Sequence, residues 1–170
     1  MKRLLLTSFQ TWLPHQVSNA SDDLLAMVVG RYLPGIEWVL LRQLPVETRE
    51  ASETVLAAIE TYHPDGIICC GMAESRSQLT VESNGRKGQQ RLYTSVNLAQ
   101  LIAPLSLTHI SHDAGNFVCE GVYFEVLRYL QEKELKMPCL FVHVPILTAQ
   151  NQVQVFSDFQ QILGLVHLSP

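Results

Sequence analysis

The sequence predicts a single three-layer α/β domain over residues 1–170, built on a twisted, mostly parallel sheet with helices on both faces. Three observations carry that expectation. Apolar runs of strand length alternate with helical patterns, and several of those runs are apolar without interruption, as strands covered on both faces are. No break in composition divides the 170 residues, of which 47% are hydrophobic, enough for one ordinary core.

The first strand is expected at residues 3–7, within Met1-Lys2-Arg3-Leu4-Leu5-Leu6-Thr7. That segment has a basic start, but its apolar run is too short for an export signal or a membrane span. Asn19-Ala20-Ser21 then opens a helix through Tyr32 that stops at Leu33-Pro34-Gly35, with a polar cap at one end and Pro and Gly at the other. A strand at residues 38–43 leads to a helix from about Glu47 to Tyr62, in which Val55, Ile59 and Tyr62 share a face and His63-Pro64-Asp65-Gly66 forms the stop. Strands follow at residues 66–70 and 78–82. The polar, glycine-containing stretch from Ser83 to Arg91 reads as an exposed loop. After a strand at residues 109–111 comes a helix over 117–135, with Val118, Val122, Val126 and Tyr129 on one stripe. A strand at 139–144 and a helix at 152–165 complete the pattern.

Twelve basic residues against sixteen acidic ones give a net charge of −4, and no basic cluster exceeds Gly85-Arg86-Lys87-Gly88, so neither nucleic acid nor a membrane is an expected partner. The four cysteines, at 69, 70, 119 and 139, include an adjacent pair and follow no metal or disulfide spacing. This usage suits a reducing compartment, and the protein is expected in the cytoplasm.

His112-Asp113-Ala114-Gly115-Asn116-Phe117-Val118-Cys119-Glu120 puts one cysteine in the first turn of a predicted helix. Free backbone N–H groups and the positive end of the helix dipole favour a thiolate there. A cysteine hydrolase also needs an imidazole to share the thiol proton and an acid to orient the imidazole. His143, near the end of a predicted strand, and Glu82, at the end of another, fit those roles. Each has a plainer reading: cysteines are commonly buried, a histidine in an apolar strand is commonly a core residue, and a glutamate at a strand end is commonly solvated. Cys69, Cys70 and Cys139 lie within or at the start of apolar strands and read as structural. His109, His112 and Asp113 cluster within five residues, but the two histidines would point to opposite faces of a strand, so no metal site is expected.

Taken together, these segments resemble the pyroglutamyl peptidase I family, the pyrrolidone carboxyl peptidases. Leu5-Leu6-Thr7-Ser8-Phe9-Gln10-Thr11-Trp12 is similar to the family's opening TGFEPFGG, Asn19-Ala20-Ser21 to its NPS and Leu44-Pro45-Val46 to its LPV. The run from Pro64 through Gly71-Met72-Ala73-Glu74-Ser75-Arg76 resembles PDxVIxxGQAGGR, and Leu79-Thr80-Val81-Glu82 resembles ITxER. Ala114-Gly115-Asn116-Phe117-Val118-Cys119 stands for AGTFVCN and Phe141-Val142-His143-Val144-Pro145 for FIHVP.

The resemblance implies a cysteine exopeptidase that removes an N-terminal pyroglutamate, with Cys119 as nucleophile, His143 as general base and then acid, and Glu82 as the orienting acid. It implies Arg76 beside the thiolate and the oxyanion, and Phe9 and Trp12 against the substrate ring. It further implies a small peptide or amide substrate, no metal or organic cofactor, and assembly as a dimer or tetramer. Two departures bear on the substrate. Met72 stands where the family has glutamine and offers no amide, and the stretch between Glu82 and Leu92 is short, which trims one wall of the pocket. Two rival readings follow: the same triad acting on another small amide, and a non-catalytic descendant that binds a ligand or partner in the old cleft.

Overall fold

The computed structural model describes residues 1–166; residues 167–170 of the expected domain lie outside the described residues. The elements run β1 (Lys2–Phe9), α1 (Ala20–Val28), β2 (Ile36–Leu44), α2 (Thr48–Tyr62), β3 (Gly66–Met72), β4 (Leu79–Glu82), β5 (Asn84–Lys87) and β6 (Gln90–Tyr93). They continue with α3 (Leu98–Ile102), β7 (Thr108–Ser111), α4 (Val118–Glu132), β8 (Cys139–Val144) and α5 (Gln152–Val166). Six strands form one sheet in the order β2-β1-β3-β8-β4-β7. β2, β1, β3 and β8 are mutually parallel, and β4 turns antiparallel against β8 while pairing parallel with β7. The mostly parallel α/β architecture expected from the apolar runs is the one observed.

The side-chain alternation of the central strands divides the core in two. Leu4, Leu6, Ile68, Leu140 and Val142 pack with Leu24 and Leu25 of α1 and with Phe159 and Ile162 of α5. On the other face Leu5, Ile67, Cys69 and Phe141 meet Val55 and Ile59 of α2 and Val122 and Val126 of α4. All of these strand residues are fully buried. Central strands so enclosed are apolar on both faces, and truncating one of their leucines to alanine costs about 2–5 kcal/mol.

Local chemistry sets the helix ends. The Asn19 carboxamide oxygen accepts the Ser21 N–H at 3.0 Å and starts α1. The Glu47 carboxylate accepts the N–H groups of Arg49 and Glu50 at 3.0 and 2.7 Å and starts α2. His63 closes α2 in the left-handed region, φ 44°, with its N–H on the Ile59 carbonyl.

Three expectations need correction. The helix expected to reach Tyr32 ends at Val28, ahead of Gly30 in the left-handed region with φ 77°. The five-residue α3 was not anticipated; it is too short to show a periodic apolar face. The stretch from Ser83 to Arg91, expected as an exposed loop, is largely the hairpin β5–β6, whose Asn84 and Gly85 are buried. Gly85 lies so close to the Phe124 backbone of α4 that a Cβ there would come within 3.0 Å of it. A glycine inside a polar run thus marks a close backbone approach here, not only a turn.

Candidate active site

The C-terminal ends of β3 and β8 and the start of α4 converge on one cleft of about 580 Å³. Phe117 occupies the cap position of α4 and supplies no side-chain cap, so the first-turn N–H groups are left for other acceptors. Cys119 sits in this turn, partly buried, above Gly71 of β3, where any side chain would fill its space.

His143 is next to Gly71 in the β3–β8 register and opposite Thr80 in the β4–β8 register. The antiparallel turn of β4 sets Glu82 opposite Phe141, two residues along β8 and on the same face as His143. Glu82 Oε1 lies 2.7 Å from His143 Nδ1. A carboxylate only accepts, so Nδ1 carries the proton and Nε2 is the free acceptor, and Nε2 lies 3.8 Å from Cys119 Sγ. Phe141 packs edge-on against the imidazole at 4.6 Å between ring centres and holds its plane. The structure therefore brings Cys119, His143 and Glu82 into one line of contacts, with Glu82 fully buried instead of solvated.

Arg76 lines the same cleft as Cys119, and its guanidinium makes three hydrogen bonds. One nitrogen donates to Glu82 Oε1 at 2.6 Å and to Thr80 Oγ1, and another donates to the Asp113 carbonyl at 2.8 Å. Arg76 thus braces the buried carboxylate and ties the turn after β3 to the loop before α4. Thr80 and the Asp113 carbonyl carry no sequence signal of their own, because neither stands out from ordinary strand and loop residues.

Burial pushes the Glu82 carboxyl up, but hydrogen bonds from His143 and Ser111, with the charges of His143 and Arg76 adding to them, overcome it and hold the group below its usual range. Burial is also the main influence on His143, and it lowers the imidazole below its ordinary value despite the pull of Glu82. Cys119 departs from the sequence expectation. Burial raises its thiol to about 11, outweighing the N–H groups of Glu120 and Cys119 that favour the thiolate. At neutral pH the resting pair is a thiol facing a neutral imidazole.

The surface of the cleft is mainly apolar. Phe9, Trp12, Leu13, Val46, Met72 and Phe117 line it, with Asn19 among its polar side chains. Trp12 and Phe117 face each other with ring centres 6.4 Å apart. Met72 is buried, and its Sδ accepts the Ala20 N–H at 3.2 Å. Sequence reasoning did not name Leu13, Asn19, Val46 and Phe117 as site residues, although Asn19 and Val46 lie in the motifs quoted above and Phe117 stands just ahead of a first-turn cysteine. Among the described residues no group of three His, Cys, Asp or Glu side chains is placed to hold a metal ion. His112 instead approaches the Ser83 hydroxyl, with Nδ1 at 2.8 Å.

This α/β fold is the one seen in solved pyroglutamyl peptidase I structures. The enzyme from Bacillus amyloliquefaciens superimposes with a TM-score of 0.86 over 98% of this chain and 95% of that one, at 18% identity. The pyrrolidone carboxyl peptidase from Thermococcus litoralis gives 0.84 over 99% and 94%, also at 18% identity. In sequence the chain is 28% identical over 177 residues to the pyrrolidone-carboxylate peptidase of Vibrio campbellii, spanning 89% of this chain and 82% of the relative. The corresponding Brevibacillus brevis protein is 27% identical over 179 residues, spanning 88% and 81%. No protein-family profile matches the chain. The resemblance to the pyroglutamyl peptidase I family thus extends over nearly the whole chain, in sequence and in fold.

Proposed function

We propose that the protein is a cysteine exopeptidase that removes pyroglutamate from the N-terminus of peptides, with Cys119, His143 and Glu82 as its catalytic triad. One observation carries this reading: the unbroken series of contacts from Cys119 Sγ through His143 to Glu82, at 3.8 and 2.7 Å, at the floor of a cleft. The similarity to pyrrolidone-carboxylate peptidases along most of the chain supplies the substrate class.

In the proposed reaction the carbonyl outside the lactam ring stands over Cys119. His143 Nε2 takes the thiol proton as sulfur forms its bond to the carbonyl carbon. The oxygen gains negative charge, and the uncapped N–H groups at the start of α4 stabilise it. His143 then gives its proton to the departing amine nitrogen as the carbon–nitrogen bond breaks, leaving a thioester on Cys119. Water attacks that thioester with His143 again taking a proton, and pyroglutamate leaves as the thiol is restored. Glu82 holds the imidazole with Nε2 facing sulfur and stabilises the imidazolium, and Arg76 braces Glu82 through its hydrogen bond to Oε1. A transient thiolate forms only as the imidazole takes its proton, which suits a thiol raised to about 11.

The same machinery on a different small amide is the second reading, favoured by Met72. Its sulfur is occupied by the Ala20 N–H, and no amide stands there to pair with a lactam. The chain is further read as one domain working in the cytoplasm on a peptide substrate, without nucleic acid, as a dimer or tetramer of identical chains. Four free thiols, three of them fully buried, suit that compartment.

The test is a mass-spectrometric comparison of one peptide bearing N-terminal pyroglutamate, N-acetyl or N-propionyl. Loss of the ring alone from the first peptide, freeing the next residue's amine, is the expected result. Preference for an acyclic acyl group would support the second reading instead, and cleavage of none would remove both.

A further inference from the structure

We infer that Gln16 and Glu74 form a latch that fixes the wall of the cleft carrying Trp12 and Leu13, making them positioning residues that set how tightly the substrate's acyl end is held. The substrate part of this inference rests on the peptidase reading above; the latch itself does not.

The segment between β1 and α1, residues 10–18, lacks glycine and places Trp12 and Leu13 on the cleft wall. Gln16 organises it. Its Oε1 accepts the N–H groups of Trp12 and Leu13 at 2.9 and 3.1 Å, and its own N–H donates to the Leu13 carbonyl at 3.1 Å. The other end of the same carboxamide donates from Nε2 to Glu74 Oε1 at 3.2 Å, and His15 Nε2 lies 3.0 Å from that oxygen. One planar amide therefore links the Trp12 backbone to Glu74.

Glu74 is itself fixed to the catalytic frame. It lies in the turn after β3, where the Ala73 N–H donates to the Val144 carbonyl at 2.9 Å, one residue beyond His143. Arg76, two residues on, reaches Glu82. Glu74 and Ser75 occupy the positions of the paired glycines in the family motif quoted above, so this anchor is a feature of the present chain. Through it the Trp12 ring keeps its place opposite Phe117. A wall held in register with the nucleophile lowers the ordering cost of binding, and releasing it weakens substrate binding more than it slows the chemistry.

A double-mutant cycle tests the latch in a Trp38→Phe background, which leaves Trp12 as the sole tryptophan of the two in the chain. Gln16→Glu keeps an acceptor for the Trp12 and Leu13 N–H groups but turns a carboxylate on Glu74. Adding Glu74→Gln restores one donor facing one acceptor with the roles exchanged. We expect Gln16→Glu to increase acrylamide quenching of Trp12 and to raise KM for a pyroglutamyl amide about tenfold, with a smaller change in kcat. The double variant should return both readings to within about threefold of the parent. Unchanged quenching in Gln16→Glu, or a double variant quenched as strongly as the single one, would overturn the latch. If no protein in the set, parent included, cleaves the amide while the quenching pattern appears, the latch stands and the peptidase reading falls.

Discussion

Gly71 brings the β3 backbone so near Cys119 that a methyl group on residue 71 would lie 3.1 Å from the Cys119 Cβ and 3.3 Å from its Sγ. The same methyl would stand 2.9 Å from Cζ of Phe141, the ring that packs against His143. Cys119, and through Phe141 the His143 imidazole, thus pack against β3 at a residue that has no side chain.

Gly71→Ala should therefore displace Cys119 and His143 relative to each other while leaving the sheet paired. A shift of about 1 Å at a reacting centre costs on the order of 10²-fold in rate, and a loss of that size in kcat is expected alongside an unaltered circular dichroism spectrum. Activity within about twofold of the parent would mean that the thiol's seat on β3 does not matter to the chemistry.

Glu82→Gln keeps the size of the orienting side chain but removes its charge. The amide nitrogen can replace the acceptor facing His143 Nδ1, turning the imidazole to the wrong tautomer, and the imidazolium loses its stabilising partner. A fall in kcat on the order of 10²–10⁴-fold is expected, with a lesser change in KM. A kcat near that of the parent would show that Glu82 only fills space beneath the imidazole.

The fold was legible because its central strands, such as Gly66–Met72 and Cys139–Val144, are apolar along their length and could be covered only by two helical layers. Cys119, His143 and Glu82 stood out through their residue types, their strand or helix ends and the motifs around them. Their protonation was not legible. The first-turn position of Cys119 argues for a low thiol pKa, and burial, which sequence does not reveal, reverses that sign. Arg76 was recognised as a site residue, but its attachment to Glu82 depends on the antiparallel placement of β4, a topological fact. The hairpin at Asn84–Lys87 and Gln90–Tyr93 was hidden because its residues are mostly polar and owe their order to packing on α4.

The resting protonation states give a pH dependence of definite sign. His143 is lowered from 6.5, so it remains neutral to more acidic pH than an ordinary imidazole, and kcat/KM should hold through pH 6.5 before falling as His143 takes up a proton. Cys119 is raised to about 11, so its alkylation by iodoacetamide should keep accelerating with pH well above neutrality. An alkylation rate that levels off below about pH 8 would instead reveal a preformed thiolate–imidazolium pair.

The central claim, that the thiol of Cys119 performs the hydrolysis, is tested most directly by the cleavage rate of a fluorogenic pyroglutamyl amide with the parent protein and with Cys119→Ala. Turnover by the parent, reduced by at least about 10³-fold in the variant, is the predicted result. Equal rates in the two proteins, or no cleavage by the parent, would contradict it.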